Sequence, residues 1–178
     1  MGIRAGLPVE DGRVRIRAMT PADADAYAAG TTDADVRAFA HLPEPEYTPE
    51  SVLRMLDTAI VDGPGPDELA VLAVADAGSD AFLGSVVLFD VVEPSAEVGF
   101  WLAPEARGRG LAADTLRLAR EIARRRGLTA VRARTAVDNV ASQRVLERAG
   151  FAFRSRDVQT TPSGVRAEVL TYEADTRG

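Results

Sequence analysis

The sequence predicts a mixed α/β fold: one layer of mostly antiparallel strands flanked by helices. Two patterns predict it. First, three strand-like runs at residues 69–75, 82–92 and 96–102 follow one another across short turns, the pattern of an antiparallel meander. Second, a long helical run at 111–126, a strand at 131–137 and a helix at 138–149 build a β-α-β unit onto the end of that meander. The chain has 178 residues and is 46% hydrophobic, which matches one domain with a sizeable core.

Each element has a local reason. Val14-Arg15-Ile16-Arg17 alternates and predicts a first strand. Thr20-Pro21-Ala22-Asp23 opens a helical stretch, with Thr20 as N-cap and Pro21 in the first turn, running to about His41. Pro43, Pro45 and Pro49 interrupt it. Thr48-Pro49-Glu50-Ser51 opens another helix, with Val52, Leu53, Leu56, Ala59 and Ile60 at helical spacing, and Gly63-Pro64-Gly65-Pro66 closes it. Gly127 and Gly150 stand where helices at 111–126 and 138–149 should end. Residues 151–160 and 165–173 form a closing hairpin about Pro162-Ser163-Gly164.

Composition removes several function classes. The chain has no cysteine and one histidine, His41, so a thiolate nucleophile and a His-rich zinc site are excluded and no metal is expected. All 21 basic residues are arginine, so a lysine Schiff base and a Walker lysine are excluded as well. No run approaches ~18 apolar residues and the start lacks a signal-peptide pattern, so a cytoplasmic protein without membrane association is expected. The net charge of −6 argues against a nucleic-acid partner. It is unevenly spread: residues 1–96 carry a net −11 and residues 97–178 a net +5. That asymmetry fits a polyanion held by the C-terminal half and a cation drawn to the N-terminal half.

The polyanion site is Arg107-Gly108-Arg109-Gly110-Leu111-Ala112, between the strand Glu97-Val98-Gly99-Phe100-Trp101-Leu102 and the helix that starts at Leu111. Glycines at a strand-to-helix turn let the backbone approach a ligand, and the helix start offers unpaired N–H groups and a positive dipole end. Gly108-x-Gly110-x-x-Ala113 also meets a permissive dinucleotide fingerprint. Its late position, after an antiparallel stretch, weighs against that fold.

A second motif, Asn139-Val140-Ala141-Ser142-Gln143-Arg144-Val145-Leu146-Glu147-Arg148-Ala149-Gly150-Phe151, lies downstream. With Arg107-x-x-Gly110-x-Ala112 and the strand before it, the chain resembles the GCN5-related N-acetyltransferases (GNAT), and within them the RimJ/RimL-like branch. The resemblance covers the element order from Val14 to Glu173, so residues 1–178 form one N-acetyltransferase domain with its core at about 13–174. It implies a sheet of about seven strands, with a parallel pair splayed apart around acetyl-CoA. It implies contacts to the pantetheine arm from Phe100, Trp101 and Leu102, to the pyrophosphate from the N–H groups of Arg107, Gly108, Arg109, Gly110, Leu111 and Ala112, to the arm again from Asn139, and to the 3′-phosphate from Arg144.

The resemblance further implies direct acetyl transfer to an amine, either a protein N-terminus or a small cationic molecule. Glu97 is the expected base, provided strand alternation holds and no bulge falls near Gly99. Many relatives carry a tyrosine acid where this chain has Leu146; Ser142 is the nearest replacement, as an acid or as an orienting group. The missing tyrosine also allows a CoA-binding regulatory module without catalysis. His41 and Tyr47 fall where the acceptor pocket should be walled, although packed or exposed side chains account for both. Dimers are common among such relatives, which leaves a homodimer open.

Overall fold

The computed structural model describes residues 2–40, 42–58, 69–160 and 164–177. Its strands are β1 (Val9–Glu10), β2 (Val14–Ala18), β3 (Ala70–Asp76), β4 (Phe82–Val92), β5 (Ser95–Leu102), β6 (Ala130–Ala136), β7 (Ala152–Thr160) and β8 (Arg166–Asp175). They form one sheet in the order β1-β2-β3-β4-β5-β6-β8-β7. Every neighbouring pair is antiparallel except β5 and β6. The helices are α1 (Ala24–Gly30), α2 (Ala34–Phe39), α3 (Pro49–Thr58), α4 (Leu111–Arg126) and α5 (Val140–Arg148).

The meander, the β-α-β unit and the closing hairpin stand where the sequence puts them. β4 and α4 match residue for residue. β1 was not expected; two residues are too short for a periodic signal. The helical stretch predicted from Thr20 to about His41 is instead a 3-10 turn at Pro21–Asp23, then α1 and α2. It breaks at Thr31–Asp33, where the Asp33 side chain accepts from the N–H groups of Asp35 and Val36 and starts a new helix. The end predicted for α3 at residues 63–66 and the hairpin residues Pro162 and Ser163 lie outside the described residues.

Two cores cover the two faces of the sheet. On one face α4 lays Leu111, Leu116, Ala119, Ile122 and Ala123 against Val14, Ile16, Leu72, Val86, Val98 and Val131. On the other, α1 and α3 pack Tyr27, Ala28 and Val52 against Trp101. The Tyr27 and Trp101 rings meet edge to face with centroids 5.2 Å apart. α4 ends at Gly127 (φ 95°), where the Leu128 N–H returns to the Ala123 carbonyl at 3.0 Å. α5 ends the same way, with the Phe151 N–H on the Leu146 carbonyl at 3.0 Å.

β4 and β5 run in unbroken register from Phe89–Glu97 to Gly84–Leu102. The irregularity in this pair lies in β4 between Phe89 and Val92, not near Gly99; Asp90 there adopts φ 48°. Alternation along β5 is therefore intact. Val98 and Leu102 face α4, while Trp101, and with it Glu97 by alternation, faces α1 and α3.

Gly84 is the tightest point of that register. A Cβ there would stand 2.2 Å from the Trp101 carbonyl oxygen and 2.8 Å from the Leu102 Cα, both backbone atoms. Gly84→Ala is expected to cost about 1–3 kcal/mol, the range for overpacking. Its check is the shift in chemical-denaturation midpoint at unchanged slope.

Candidate functional site

The parallel pairing of β5 with β6 is short. It joins Ser95 to Ala130, Ala96 to Val131 and Glu97 to Arg132, and stops there. Beyond that point β5 remains paired with β4 as far as Leu102, and β6 with β8 as far as Ala136. The two strands thus diverge, and residues 98–102 and 133–136 face each other across a gap with no ladder between them. This is the splay the sequence motifs imply.

Backbone direction decides which β5 groups face the gap. The Ala103 N–H donates to the Leu83 carbonyl at 2.8 Å, and the Trp101 carbonyl lies against Gly84, so both point to β4. By alternation the backbone groups of Val98, Phe100 and Leu102 point the other way, into the gap. Phe100 and Leu102 thus fit the expected pantetheine contacts, except that the Leu102 carbonyl already accepts from Arg107 Nε at 3.0 Å. Trp101 turns its backbone away, and its buried ring packs on Tyr27, Phe82 and Gly30.

The glycine turn lies at the mouth of the gap. Gly108 (φ 74°) and Gly110 (φ 79°) are both left-handed, which lets five successive N–H groups go unpaired. Those of Gly108, Arg109, Gly110, Leu111 and Ala112 make no hydrogen bond among the described residues; the N–H of Arg107 donates to the Pro104 carbonyl at 3.2 Å and leaves the expected set. The five amides and the N-terminus of a 16-residue helix together suit an anion.

The two arginines of the turn do different things. Arg109 is exposed and within ion-pair distance of no described carboxylate. The Arg107 side chain turns back to α2, reaching Asp33 at 2.6 Å and Asp35 at 3.1 Å. It ties the glycine turn to α2. Arg13 holds the turn from the other side, donating to the Arg109 carbonyl and pairing with Asp114 at 2.7 Å. Asp114 stands in the first turn of α4, and Arg13 and Arg117 offset its charge beside an anion site. Sequence reasoning missed Arg13, which lies 101 residues from its partner Asp114.

At the α5 start, Asn139 Oδ1 accepts from the Ser142 N–H at 3.1 Å, so Asn139 is the helix cap. Its Nδ2 donor and the Ser142 hydroxyl have no partner among the described residues. Gln143, also not foreseen, donates to the Ala136 and Val137 carbonyls and fixes the end of β6. Arg144 is exposed and unpaired among the described residues. Leu146 is fully buried in the core, so its position supplies packing and no proton.

Glu97 stands at the base of the gap, where the parallel ladder ends. It is 7% exposed and its Oε1 accepts from Arg134 Nε at 2.7 Å. Burial pushes its carboxyl above the usual range; Arg134 opposes that shift without cancelling it. On the same face Tyr47 is buried against Tyr27, ring centroids 5.5 Å apart, and burial raises both phenols. A cavity of about 190 Å³ lies beside it, lined in part by Thr31, Glu44 and Glu46. His41 lies outside the described residues.

The acidic first half of the chain is not a bare field. Asp33 and Asp35 pair with Arg107, Asp90 approaches Arg132 at 3.8 Å, and Asp23 pairs with Arg17. Among these, the pairs of Asp33, Asp35 and Asp90 join the two halves, while Asp23 and Arg17 lie in the same half.

The model of the GNAT acetyltransferase domain matches residues 13–152, and the chain belongs to that family. Solved structures share the whole fold. Spermidine N-acetyltransferase from Vibrio cholerae, in complex with CoA and spermine, is similar at TM-score 0.78 and 19% identity, covering 94% of this chain and 98% of that one. Mycobacterium smegmatis RimJ, in complex with CoA-disulfide, gives 0.79 and 18%, covering 92% and 82%. Ribosomal-protein-S5-alanine acetyltransferase from Vibrio fischeri gives 0.71 and 16%, covering 96% and 97%. No curated protein sequence matches the chain.

Asp33 both caps α2 and anchors Arg107, so Asp33→Ala is expected to lower stability by about 1–2 kcal/mol, the cost of a lost cap. Thermal melts of the two proteins check it.

Proposed function

We propose that this protein is an acetyl-CoA-dependent N-acetyltransferase that moves the acetyl group directly to a primary amine. One arrangement carries the reading: a parallel pair that stops at Glu97–Arg132, with five unpaired amides at the mouth of the gap and a buried carboxylate at its base. Acetyl-CoA fits these residues as a substrate. The amides of residues 108–112 and Arg109 suit its pyrophosphate, the gap-facing backbone of Phe100 and Leu102 suits the amides of its arm, and Arg144 suits its 3′-phosphate.

An amine is mostly protonated at neutral pH, so Glu97 takes one proton and the neutral nitrogen attacks the thioester carbonyl. The Phe100 N–H, on the gap side of β5, supports a reading in which it donates to the developing oxyanion. The C–S bond then breaks and the second N–H proton leaves with the thiolate or to solvent. A thiol of pKa about 8.5 is a fair leaving group without an acid, which suits a site where Leu146 is core and Ser142 only orients. No cysteine is available for an acyl-enzyme.

The charges around Glu97 favour a peptide N-terminus over a polyamine. Two arginines, Arg132 and Arg134, balance Glu97 and Asp90, so a polycation gains no net attraction there. In an acceptor screen read by free-thiol release, peptide N-termini should exceed spermidine in kcat/KM; the reverse order overturns this preference.

Two variants test the assignment itself. Gly110→Trp should abolish acetyl-CoA binding measured by calorimetry. Glu97→Gln should lower kcat by about 10²–10⁴-fold, the usual worth of a general base, and keep acetyl-CoA affinity. Because burial raises the Glu97 carboxyl, wild-type kcat/KM should fall as pH drops through a point above the ordinary glutamate range.

A further inference from the structure

We infer that Arg134, held by Gln159, is a positioning residue that occupies one oxygen of Glu97 and leaves the other, Oε2, to take the proton from the amine. The inference rests on the reading of Glu97 as the base.

The geometry is specific. Arg134 donates to Glu97 Oε1 through Nε at 2.7 Å, while its Nη1 turns to Gln159 Oε1 at 3.0 Å. The pair is therefore monodentate at the carboxylate, although a guanidinium can grip both oxygens. Oε2 makes no hydrogen bond among the described residues. Three strands take part: Glu97 on β5, Arg134 on β6 and Gln159 on β7, and β8 lies between the last two. Arg134 is two residues past Arg132, the last residue of β6 paired with β5, so it reaches across the gap where no ladder fixes the strands.

A purely structural purpose fits poorly. A buried ion pair costs desolvation and is often replaceable by apolar side chains without loss. Oε2 is also not sealed in, since the buried side-chain atoms without a partner among the described residues are Arg132 Nε and Thr135 Oγ1. As a proton acceptor, however, a carboxylate needs exactly that: fixed orientation and one free lone pair toward the substrate. A planar, permanently charged guanidinium anchored at its other end by a neutral amide provides the orientation without competing for the proton. The remaining charged groups that act on Glu97 are Arg132 on β6 and Asp90 at the β4 bulge, of opposite sign and 3.8 Å apart. Among the described residues Arg134 is thus the one cation bonded directly to Glu97.

The test is the pH dependence of kcat/KM for wild type, Glu97→Gln, Arg134→Gln, Arg134→Lys and Gln159→Ala, with acetyl-CoA affinity as the check that each variant folds. Removing a cation bonded to a carboxylate raises its pKa, typically by about 1–3 units. The rising limb of Arg134→Gln should therefore move to higher pH by about one unit or more, so that activity lost at neutral pH returns in part above it. Arg134→Lys should restore the position of the limb but not full kcat, because a point charge does not fix the carboxylate plane. Gln159→Ala should lower kcat with KM for acetyl-CoA unchanged. If Arg134→Gln keeps the wild-type limb, whether active or uniformly slowed at every pH, the pair is structural and the inference falls. If Glu97→Gln retains turnover, the base assignment fails first and independently of Arg134.

Discussion

A sheet is held together by ladders, and a ladder that stops leaves two strand edges needing partners. In this protein the parallel pairing of β5 and β6 ends at Glu97 and Arg132, and the functional geometry depends on that ending. Each strand stays rigid because its outer neighbour continues, β4 for β5 and β8 for β6. The gap is therefore a fixed feature of a well-paired sheet. Its unpaired backbone groups can be satisfied by an amide-bearing ligand lying between the strands.

The ends of the gap are chemically opposite. The wide end opens on left-handed glycines and a helix N-terminus, a site for negative charge. The narrow end closes on a buried carboxylate, a site for a proton. Both are braced by arginines that have little to do with binding. Arg13 and Arg107 hold the glycine turn from two sides, and Arg134 holds Glu97. Arginines of both halves of the chain therefore serve as internal struts. Arg107 in addition ties the glycine turn to α2.

The two motif stretches carried most of the site at the level of sequence. Glycine spacing, a helix start and the Asn139–Phe151 run locate the glycine turn and α5 because their signals are local: left-handed backbone, capping and helical periodicity. Strand alternation placed Glu97 on the face opposite Val98 and Leu102, and the unbroken β4–β5 register upholds it. What local signals could not carry was the use of each group. Arg107 belongs to the turn by sequence, yet its N–H and its side chain are both engaged elsewhere. Trp101 lies on the right strand, yet its backbone faces β4.

By itself the sequence determined the order of elements, the position of the glycine turn, the family and the exclusion of thiol, lysine and His-cluster chemistry. Those follow from residue types and short-range spacing. Only the tertiary structure decided where the β5–β6 ladder stops, that Asp33 and Asp35 pair with Arg107, and that Arg134 and Gln159 close on Glu97. Each is a contact between residues far apart in the chain, and periodicity along one strand holds no record of the strand that lies beside it.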